Sequence, residues 1–281
     1  AHAIARGALS SVADKVTFKT WRSPDELRAG LTSKTMELFV LPTQLAANLY
    51  NRGLGVRLAN VMTNGLLYVV SADTGISSLP DLKGRSIAVP FRNDTPDLLF
   101  RRLLTAHGMV PGDDLDLRYT GSPVEAIQLL ATGRIEAALV PEPAASAAIM
   151  KAGLNGAEVS RVIDIQKAWG KATGRAPVLP QAGLGVMPDF LNNHGAAVEA
   201  LRAALVDAAA SVNANPARAA SDAASVLQTP WPILEKAIPY SNLVAIPARE
   251  ARPTLESMFG AVAEFDPKII GGKLPPVEFY L

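Results

Sequence analysis

The sequence predicts a two-lobed α/β protein, and the prediction depends on an internal repeat, an alternation of helices and strands, and the composition of a well-cored protein. Residues 16–54 and 115–153 align without a gap at a constant offset of 99 and resemble drifted copies of one unit. Each copy reads strand, helix, strand, proline, helix. Two lobes of similar build follow. Residues that match at this offset are Leu31 with Leu130, Glu37 with Glu136, Pro42 with Pro141 and Ala46 with Ala145.

The composition excludes several classes of protein. The chain has 281 residues, of which 49% are hydrophobic and 19% charged, with a formal net charge of +1. A near-neutral charge without a basic run argues against a nucleic-acid partner. The absence of cysteine excludes disulfides, cysteine-ligated metals and thiol nucleophiles. The apolar stretches are much shorter than the roughly 20 residues of a membrane-spanning helix.

The first lobe is predicted from capping residues and apolar periodicity. A helix begins at Ser23-Pro24, and Gly53 suits the left-handed end of another. Two alternating segments around Thr63-Asn64-Gly65 read as strands. The predicted elements are helices 1–12, 24–32 and 44–52, and strands 16–21, 36–41, 56–62, 66–71 and 85–90.

The second lobe opens with Thr95 as a helix N-cap and Pro96 as the first helical residue. An irregular stretch, 153–180, follows the repeat, and 184–187 reads as a strand that returns to the first lobe. We therefore assign 1–88 and 183–281 to lobe I and 89–182 to lobe II, joined by a hinge of two crossings. The other predicted elements are helices 96–107, 123–132, 143–152, 196–213 and 216–227, and strands 115–119 and 135–140.

Several motifs resemble those of a known group. They are the turn 79–84 before Ile-Ala-Val-Pro, the helix start 93–97, the stretch 134–143, and the closing segments 271–275 and 278–280. Together they resemble extracytoplasmic solute-binding proteins of ABC importers, in the nitrate/sulfonate/taurine group that is similar to thiamine-precursor-binding proteins. The resemblance implies a type II periplasmic binding protein fold, a small organic or oxyanionic ligand in the cleft between the lobes, and the importer membrane subunits as partners. It also implies a monomer in the periplasm or outside the cytoplasm, without a cofactor.

The resemblance and the repeat both point to a missing element. Such proteins begin with a strand and a ligand-contacting loop before the first helix, and in the second lobe a strand and loop precede the helix that matches residues 1–15. We therefore expect a further strand, and an export signal, before Ala1.

Signatures of catalysis are missing from the sequence. His2, His107 and His194 do not have the spacing of metal ligands. A nucleophile elbow, a phosphate-binding loop and a dinucleotide fingerprint are lacking. We predict no catalytic residue, metal or cofactor. Two alternatives stay open: an enzyme of the same fold acting on a pyrimidine or vitamin precursor, and the effector domain of a transcription regulator.

Polar residues at loop ends are the candidate ligand contacts. Asn93, Asp94 and Thr95 lie between a strand and a helix, where backbone amides hold oxyanions, although Asp94 opposes a strongly anionic ligand. Glu142 either contacts the ligand or favours the dipole of the following helix. Its repeat partner is Thr43, which with Gln44 forms the matching candidate in the first lobe.

The remaining candidates have simpler structural interpretations. Asn64, Gly65 and Leu66 form either a hairpin turn or a wall of the cleft. Gln181 is a candidate wall residue. The aromatic residues Trp169, Trp231 and Tyr240 are weaker candidates, because buried aromatic side chains usually serve the core.

Overall fold

The computed structural model of the protein describes residues 1–10, 12–21 and 24–281. The strands are β1 (Leu38–Pro42), β2 (Arg57–Thr63), β3 (Leu67–Ser71), β4 (Ser86–Pro90), β5 (Asp116–Thr120), β6 (Ala137–Pro141), β7 (Ser160–Asp164), β8 (Ala182–Val186) and β9 (Leu243–Pro247). The α-helices are α1 (His2–Ala5), α2 (Pro24–Thr32), α3 (Thr43–Leu49), α4 (Thr95–Ala106), α5 (Pro123–Ala131), α6 (Ala144–Leu154), α7 (Ile165–Thr173), α8 (Pro188–Ala214), α9 (Pro216–Leu227), α10 (Trp231–Ala237) and α11 (Ala248–Ala263).

The chain divides into two compact units. Its two sheets and many helices confirm the predicted α/β class. Unit 1 consists of Ala1–Thr63, Pro180–Phe259 and Pro267–Leu281, and unit 2 of Asn64–Leu179 and Gly260–Asp266. The chain therefore passes from unit 1 to unit 2 after Thr63 and returns after Leu179. A short second excursion, Gly260–Asp266, belongs to the end of α11 and the turn that follows it.

The sheet of unit 1 has the strand order β1-β8-β2-β9, and all of its neighbouring strands are antiparallel. The buried side chains Ala59, Leu184, Val186 and Val198 form a core between this sheet and α8. Strand β8, the first strand after the return crossing, therefore lies inside the sheet and not at its edge.

The sheet of unit 2 has the strand order β5-β4-β6-β3-β7. Strand β4 is parallel to both β5 and β6, whereas β3 is antiparallel to both β6 and β7. All five residues of β3 are buried. Strand β3 is the first strand after the outward crossing, so each unit has an inner strand that directly follows a crossing.

The structure confirms the repeat for its first helix and for the strand that follows that helix. Helix α2 and helix α5 match residue for residue at the offset of 99, as do β1 and β6. In the second copy the Ser122 side chain accepts a hydrogen bond of 3.2 Å from the Glu125 N–H and so caps α5. Ser23, its counterpart in the first copy, lies outside the described residues.

The predicted strand Val16–Trp21 is wrong, because this segment has no regular secondary structure. Among the described residues no strand pairs with the outer edge of β1, whereas the matching strand β6 has β4 on that side. The Trp21 indole N–H donates to the Val40 carbonyl of β1 over 3.0 Å.

The division into units differs from the predicted boundary at 88/89. Strands β3 and β4 pair with β6 and therefore belong to unit 2, which moves the first crossing to 63/64. The hairpin interpretation of 64–66 is wrong for the same reason, because β2 pairs with β8 and β9 and not with β3. Periodicity predicts that a segment is a strand but does not identify its sheet.

Other differences concern local structure. Within the described part of the predicted helix 1–12, the α-helix is confined to α1. The stretch 153–180, predicted as irregular, contains β7 and α7. Asp94, and not Thr95, is the N-cap of α4: its carboxylate accepts from the Thr95 N–H over 2.7 Å. Asp and Thr are both favourable caps, so the pattern Asp-Thr-Pro leaves the capping residue open by one position.

Two glycines allow β8 to lie between β1 and β2. A Cβ atom on Gly183 would lie 2.3 Å from the Asn60 carbonyl oxygen, and one on Gly185 would lie 2.5 Å from the Phe39 ring. The backbone of β2 cannot move aside as easily as a side chain, so a larger residue is tolerated less well at Gly183 than at Gly185.

We predict that Gly183→Ala lowers the free energy of unfolding by about 2 kcal/mol, because the added methyl group overpacks against the backbone of β2. Urea unfolding measures the change. The control is Gly260→Ala in α11, where a Cβ atom would have no heavy atom within 4 Å. The control should raise stability by up to about 1 kcal/mol, since alanine favours a helix over glycine. Equal stability of the two variants would contradict the proposed packing of β8.

Candidate functional site

The sheet of unit 2 has a point where the strand order reverses. The chain leaves β4 for β5 on one side and then returns to β6 on the other side. Ligands of open α/β sheets bind beyond the carboxyl ends of the strands at such a point. The loop 91–94 follows β4, and Glu142 follows β6, so the predicted candidates of the second lobe follow the two strands that flank it.

The loop after β4 has an unusual backbone. Phe91 and Asn93 have φ angles of 60° and 62°, in the left-handed region that favours glycine. The Phe91 N–H donates to the Thr120 carbonyl at the end of β5 over 3.1 Å, and the Asp94 N–H donates to the Phe91 carbonyl over 3.0 Å. Phe91 is 42% exposed. Sequence analysis missed Phe91, although an aromatic residue directly after a strand-ending proline was a usable signal.

The amide donors expected to hold an oxyanion are already bonded within the loop and α4. The Asn93 N–H donates to Asp97 Oδ2 over 2.8 Å, and the Thr95 N–H to Asp94 Oδ1 over 2.7 Å. The buried Asp97 carboxylate also accepts from the Tyr119 hydroxyl over 3.2 Å, and Arg101 Nε lies 3.2 Å away. Burial, and then the charge of Asp97, raises the pKa of Tyr119. Two carboxylates therefore neutralise the N-terminus of α4.

Thr95 differs from its neighbours in the loop. Its side chain is buried, and its hydroxyl oxygen has no hydrogen-bond partner within the part of the chain that the structure describes. Buried hydroxyl groups normally have a partner, so this group needs an explanation. Its place at the start of α4 keeps it among the candidate contacts.

Glu142 has partners inside unit 2. Its side chain is fully buried and accepts hydrogen bonds from Nε and Nη2 of Arg161, the former over 2.7 Å. Its second oxygen accepts from the Ser146 N–H over 3.1 Å, in the first turn of α6. The structure thus assigns Glu142 a role at the helix start and in a buried ion pair, and a ligand contact stays a prediction.

Arg161 was not predicted from the sequence. Its guanidinium also donates to the Ser146 hydroxyl over 2.6 Å and lies 5.6 Å from the centre of the Tyr68 ring. The register of β3 and β7 shifts between Val69 and Val70, next to the pairing of Val70 with Arg161. Such a bulge redirects a side chain. An arginine in a stretch that the sequence predicts as irregular gives no signal for this contact.

The segment Asn64–Leu66 lies at the same edge of the unit 2 sheet as Glu142. The Leu66 carbonyl accepts from the Glu142 N–H over 2.8 Å, and the Asn64 carbonyl accepts from the Leu179 N–H over 2.9 Å. Gly65 has φ 121°, and a Cβ atom there would lie 2.2 Å from the Gln166 side chain. Gln166, also missed in the sequence, accepts from the Leu67 N–H over 3.0 Å and so supports this segment.

The candidates of unit 1 also meet at one edge of a sheet. The Thr43 N–H donates to the Gln181 carbonyl over 3.2 Å, and its hydroxyl donates to the Pro180 carbonyl over 2.6 Å. Thr43 and Gln44 are both buried. Thr43 follows the carboxyl end of β1, and Pro180 and Gln181 precede β8, so this edge is also the place where the chain returns to unit 1.

The aromatic candidates fall into two groups. Trp169 is buried in unit 2 as a core residue, whereas Trp231 and Tyr240 are about half exposed in unit 1. Within the described residues, no group of three histidine, aspartate or glutamate side chains is placed to hold a metal ion. None of the helices described has the length and apolarity to cross a membrane.

Several solved structures are similar to this chain. An ABC transporter protein of Parabacteroides distasonis is 25% identical, with a TM-score of 0.81 over 99% of this chain and 93% of that one. The periplasmic aliphatic sulphonate binding protein SsuA of Escherichia coli is 15% identical, with a TM-score of 0.71 over 96% and 92%. The periplasmic nitrate-binding protein NrtA of Synechocystis is 14% identical, with a TM-score of 0.66 over 99% and 83%.

These likenesses confirm the predicted type II binding-protein fold. No protein with a curated function matches the sequence. Residues 29–228 match the NMT1-like family. The match covers more than half of the chain, and the protein therefore belongs to the NMT1-like family.

Proposed function

We propose that the protein is the solute-binding receptor of an ABC importer, which binds a small molecule for the membrane subunits to take up. The observation that carries the proposal is the strand reversal between β4 and β6, where the loop 91–95 and Glu142 follow the two carboxyl ends. Membership of the NMT1-like family and the likeness to sulphonate-binding and nitrate-binding proteins support it. They support a receptor and not the enzyme that the sequence left open.

Location and partners follow from the same proposal. We infer that the protein works in the periplasm or outside the cytoplasm, as a monomer, with a small-molecule ligand and the importer membrane subunits as its partners. The periplasmic location of the similar sulphonate-binding and nitrate-binding proteins supports this inference. The receptor makes and breaks no bond and needs no cofactor.

One side-chain cluster has the order of groups found in a hydrolase. Nδ1 of His2 lies 2.9 Å from Asp222, and Nε2 lies 3.0 Å from the Ser211 hydroxyl. Ser211 lies inside α8, however, where its backbone N–H bonds to the preceding turn and is not available to an oxyanion. We assign the cluster to the packing of α1 on α8 and α9 and not to catalysis.

Each sheet edge is proposed as a ligand-contacting surface. In unit 2 the residues are Asn64, Gly65, Leu66, Asn93, Asp94, Thr95 and Glu142, and in unit 1 they are Thr43, Gln44 and Gln181. Both edges are formed by strand ends, where polar groups of the backbone and side chains do not take part in the hydrogen bonds between strands. Both also lie where the chain passes to the other unit.

The proposal predicts that a small molecule stabilises the protein. At about 100 times its Kd a ligand that binds the folded chain alone adds about 2.7 kcal/mol to stability. A thermal-shift screen should therefore find at least one active class among sulfonates, nitrate, carboxylates, amino acids and pyrimidines, on protein refolded from denaturant to remove bound molecules.

The same screen has a matched control. Asn93→Gly removes the side-chain amide at the unit 2 edge but allows the same positive φ. It should weaken ligand binding by about 1 kcal/mol. Gln228→Gly is the corresponding change at the exposed end of α9, where φ is 50°, and it should leave binding unchanged. No shift with any class, or equal binding by both variants, would count against the proposed site.

Glu142 generates a separate prediction about stability. Glu142→Gln keeps the shape of the side chain but leaves the Arg161 guanidinium without its buried counter-charge. We expect the free energy of unfolding to fall by about 3 kcal/mol, measured by urea unfolding.

Two variants complete this test. Glu158→Gln, in the exposed segment before β7, should change stability by less than about 0.5 kcal/mol. The double variant Glu142→Leu with Arg161→Met replaces the pair by apolar side chains and should recover most of the loss. A single Glu142→Gln variant as stable as the parent would show that the pair does not hold this edge together.

A further inference from the structure

We propose that the Phe91 ring contacts the ligand at the unit 2 edge, and that the ligand is a ring-bearing organic molecule without an oxyanion group. This inference rests on the proposed receptor function and specifies the chemistry of its site. It differs from the ligands named for the similar sulphonate-binding and nitrate-binding proteins.

The first observation is the presentation of Phe91. It is the first residue after β4, at the point of strand reversal, and 42% of its surface is exposed. A bulky residue at φ 60° is a backbone outlier, kept here by the hydrogen bonds from its own N–H to Thr120 and from the Asp94 N–H to its carbonyl. Strained backbone of this kind clusters at ligand-binding sites. An aromatic ring held in this way offers a flat apolar contact surface.

The second observation is that carboxylates of the protein already compensate the partial positive charge at the N-terminus of α4. Asp97 accepts from the Asn93 N–H, and Asp94 accepts from the Thr95 N–H, so internal carboxylates occupy two of the backbone donors that an oxyanion would need. An added anion would also meet the charge of both carboxylates. The helix end thus selects against anions.

The third observation concerns the cations near this edge. Arg161 is paired with Glu142, and Arg101 is paired with Asp97. The Arg92 guanidinium lies over the Tyr119 ring, 4.8 Å from its centre. In the loop and the first two turns of α4, the negative charges of Asp94 and Asp97 balance the positive charges of Arg92 and Arg101. This region therefore has no excess of positive charge that would attract an oxyanion.

Matched probes test both parts of the proposal. The probes are benzyl alcohol with benzenesulfonate, and 4-(hydroxymethyl)pyridine with pyridine-3-sulfonate, titrated calorimetrically into the refolded full chain. In at least one pair the alcohol should bind at least ten times more tightly than its sulfonate. Phe91→Ala should weaken binding of that alcohol at least tenfold. Val110→Ala truncates another exposed apolar side chain, before β5 at the opposite edge of the sheet, and should change binding less than twofold.

The outcomes separate this inference from the proposed function. Sulfonates that bind as tightly as the alcohols would overturn the inference and leave the receptor in place. Unchanged binding by Phe91→Ala would overturn the contact with the ring. Failure of all four probes would overturn the inference, and the receptor itself would fall with it if the wider thermal-shift screen also found no ligand.

Discussion

Each sheet contains an inner strand that directly follows a crossing of the chain, and the positions of the candidate residues depend on this arrangement. Strand β8 lies between β1 and β2, and β3 lies between β6 and β7. Both run antiparallel to their neighbours, so each begins at the edge where its neighbours end. A glycine is needed in or beside each of these strands. A Cβ atom at Gly183, inside β8, would clash with the backbone of Asn60, and one at Gly65, just before β3, would clash with the Gln166 side chain. Crossings and strand ends therefore share one edge in each unit.

Electrostatics then limit which ligands the proposed site at the unit 2 edge could bind. Burying Glu142 and Arg161 costs solvation free energy that their mutual attraction and the bonds to Ser146 offset. At the start of α4, the carboxylates of Asp94 and Asp97 accept hydrogen bonds from backbone amides that would otherwise lack a partner. The backbone amides of Asn93 and Thr95, which the sequence suggests as anion ligands, thus bond to carboxylates of the protein itself. The Phe91 ring is the exposed apolar surface beside them.

The sequence predicts most of the local elements between residues 24 and 152, but it misses β7 and α7 and does not predict the pairing of strands. The offset of 99 aligns α2 with α5 and β1 with β6, because caps, prolines and apolar spacing are local signals. The assignment of 64–88 to the first lobe differs from the structure because the sheet that β3 joins is decided by contacts with β6 and β7, which are distant in sequence. Arg161 and Gln166 were missed for the same reason. Their roles arise from a bulge and from a close approach to Gly65.

The central claim is that the two sheet edges are the ligand-binding surfaces of a receptor. Peptide-resolved hydrogen exchange, on natively purified protein before and after removal of its bound small molecules, tests it most directly. Removal of the molecules should speed exchange in the segments 43–45, 64–67, 91–98, 142–146 and 181–183, and leave the far ends of the same strands unchanged. Unchanged exchange in these segments, with the difference confined to another surface such as the depression lined by Glu199, Arg202 and Arg249, would contradict the account.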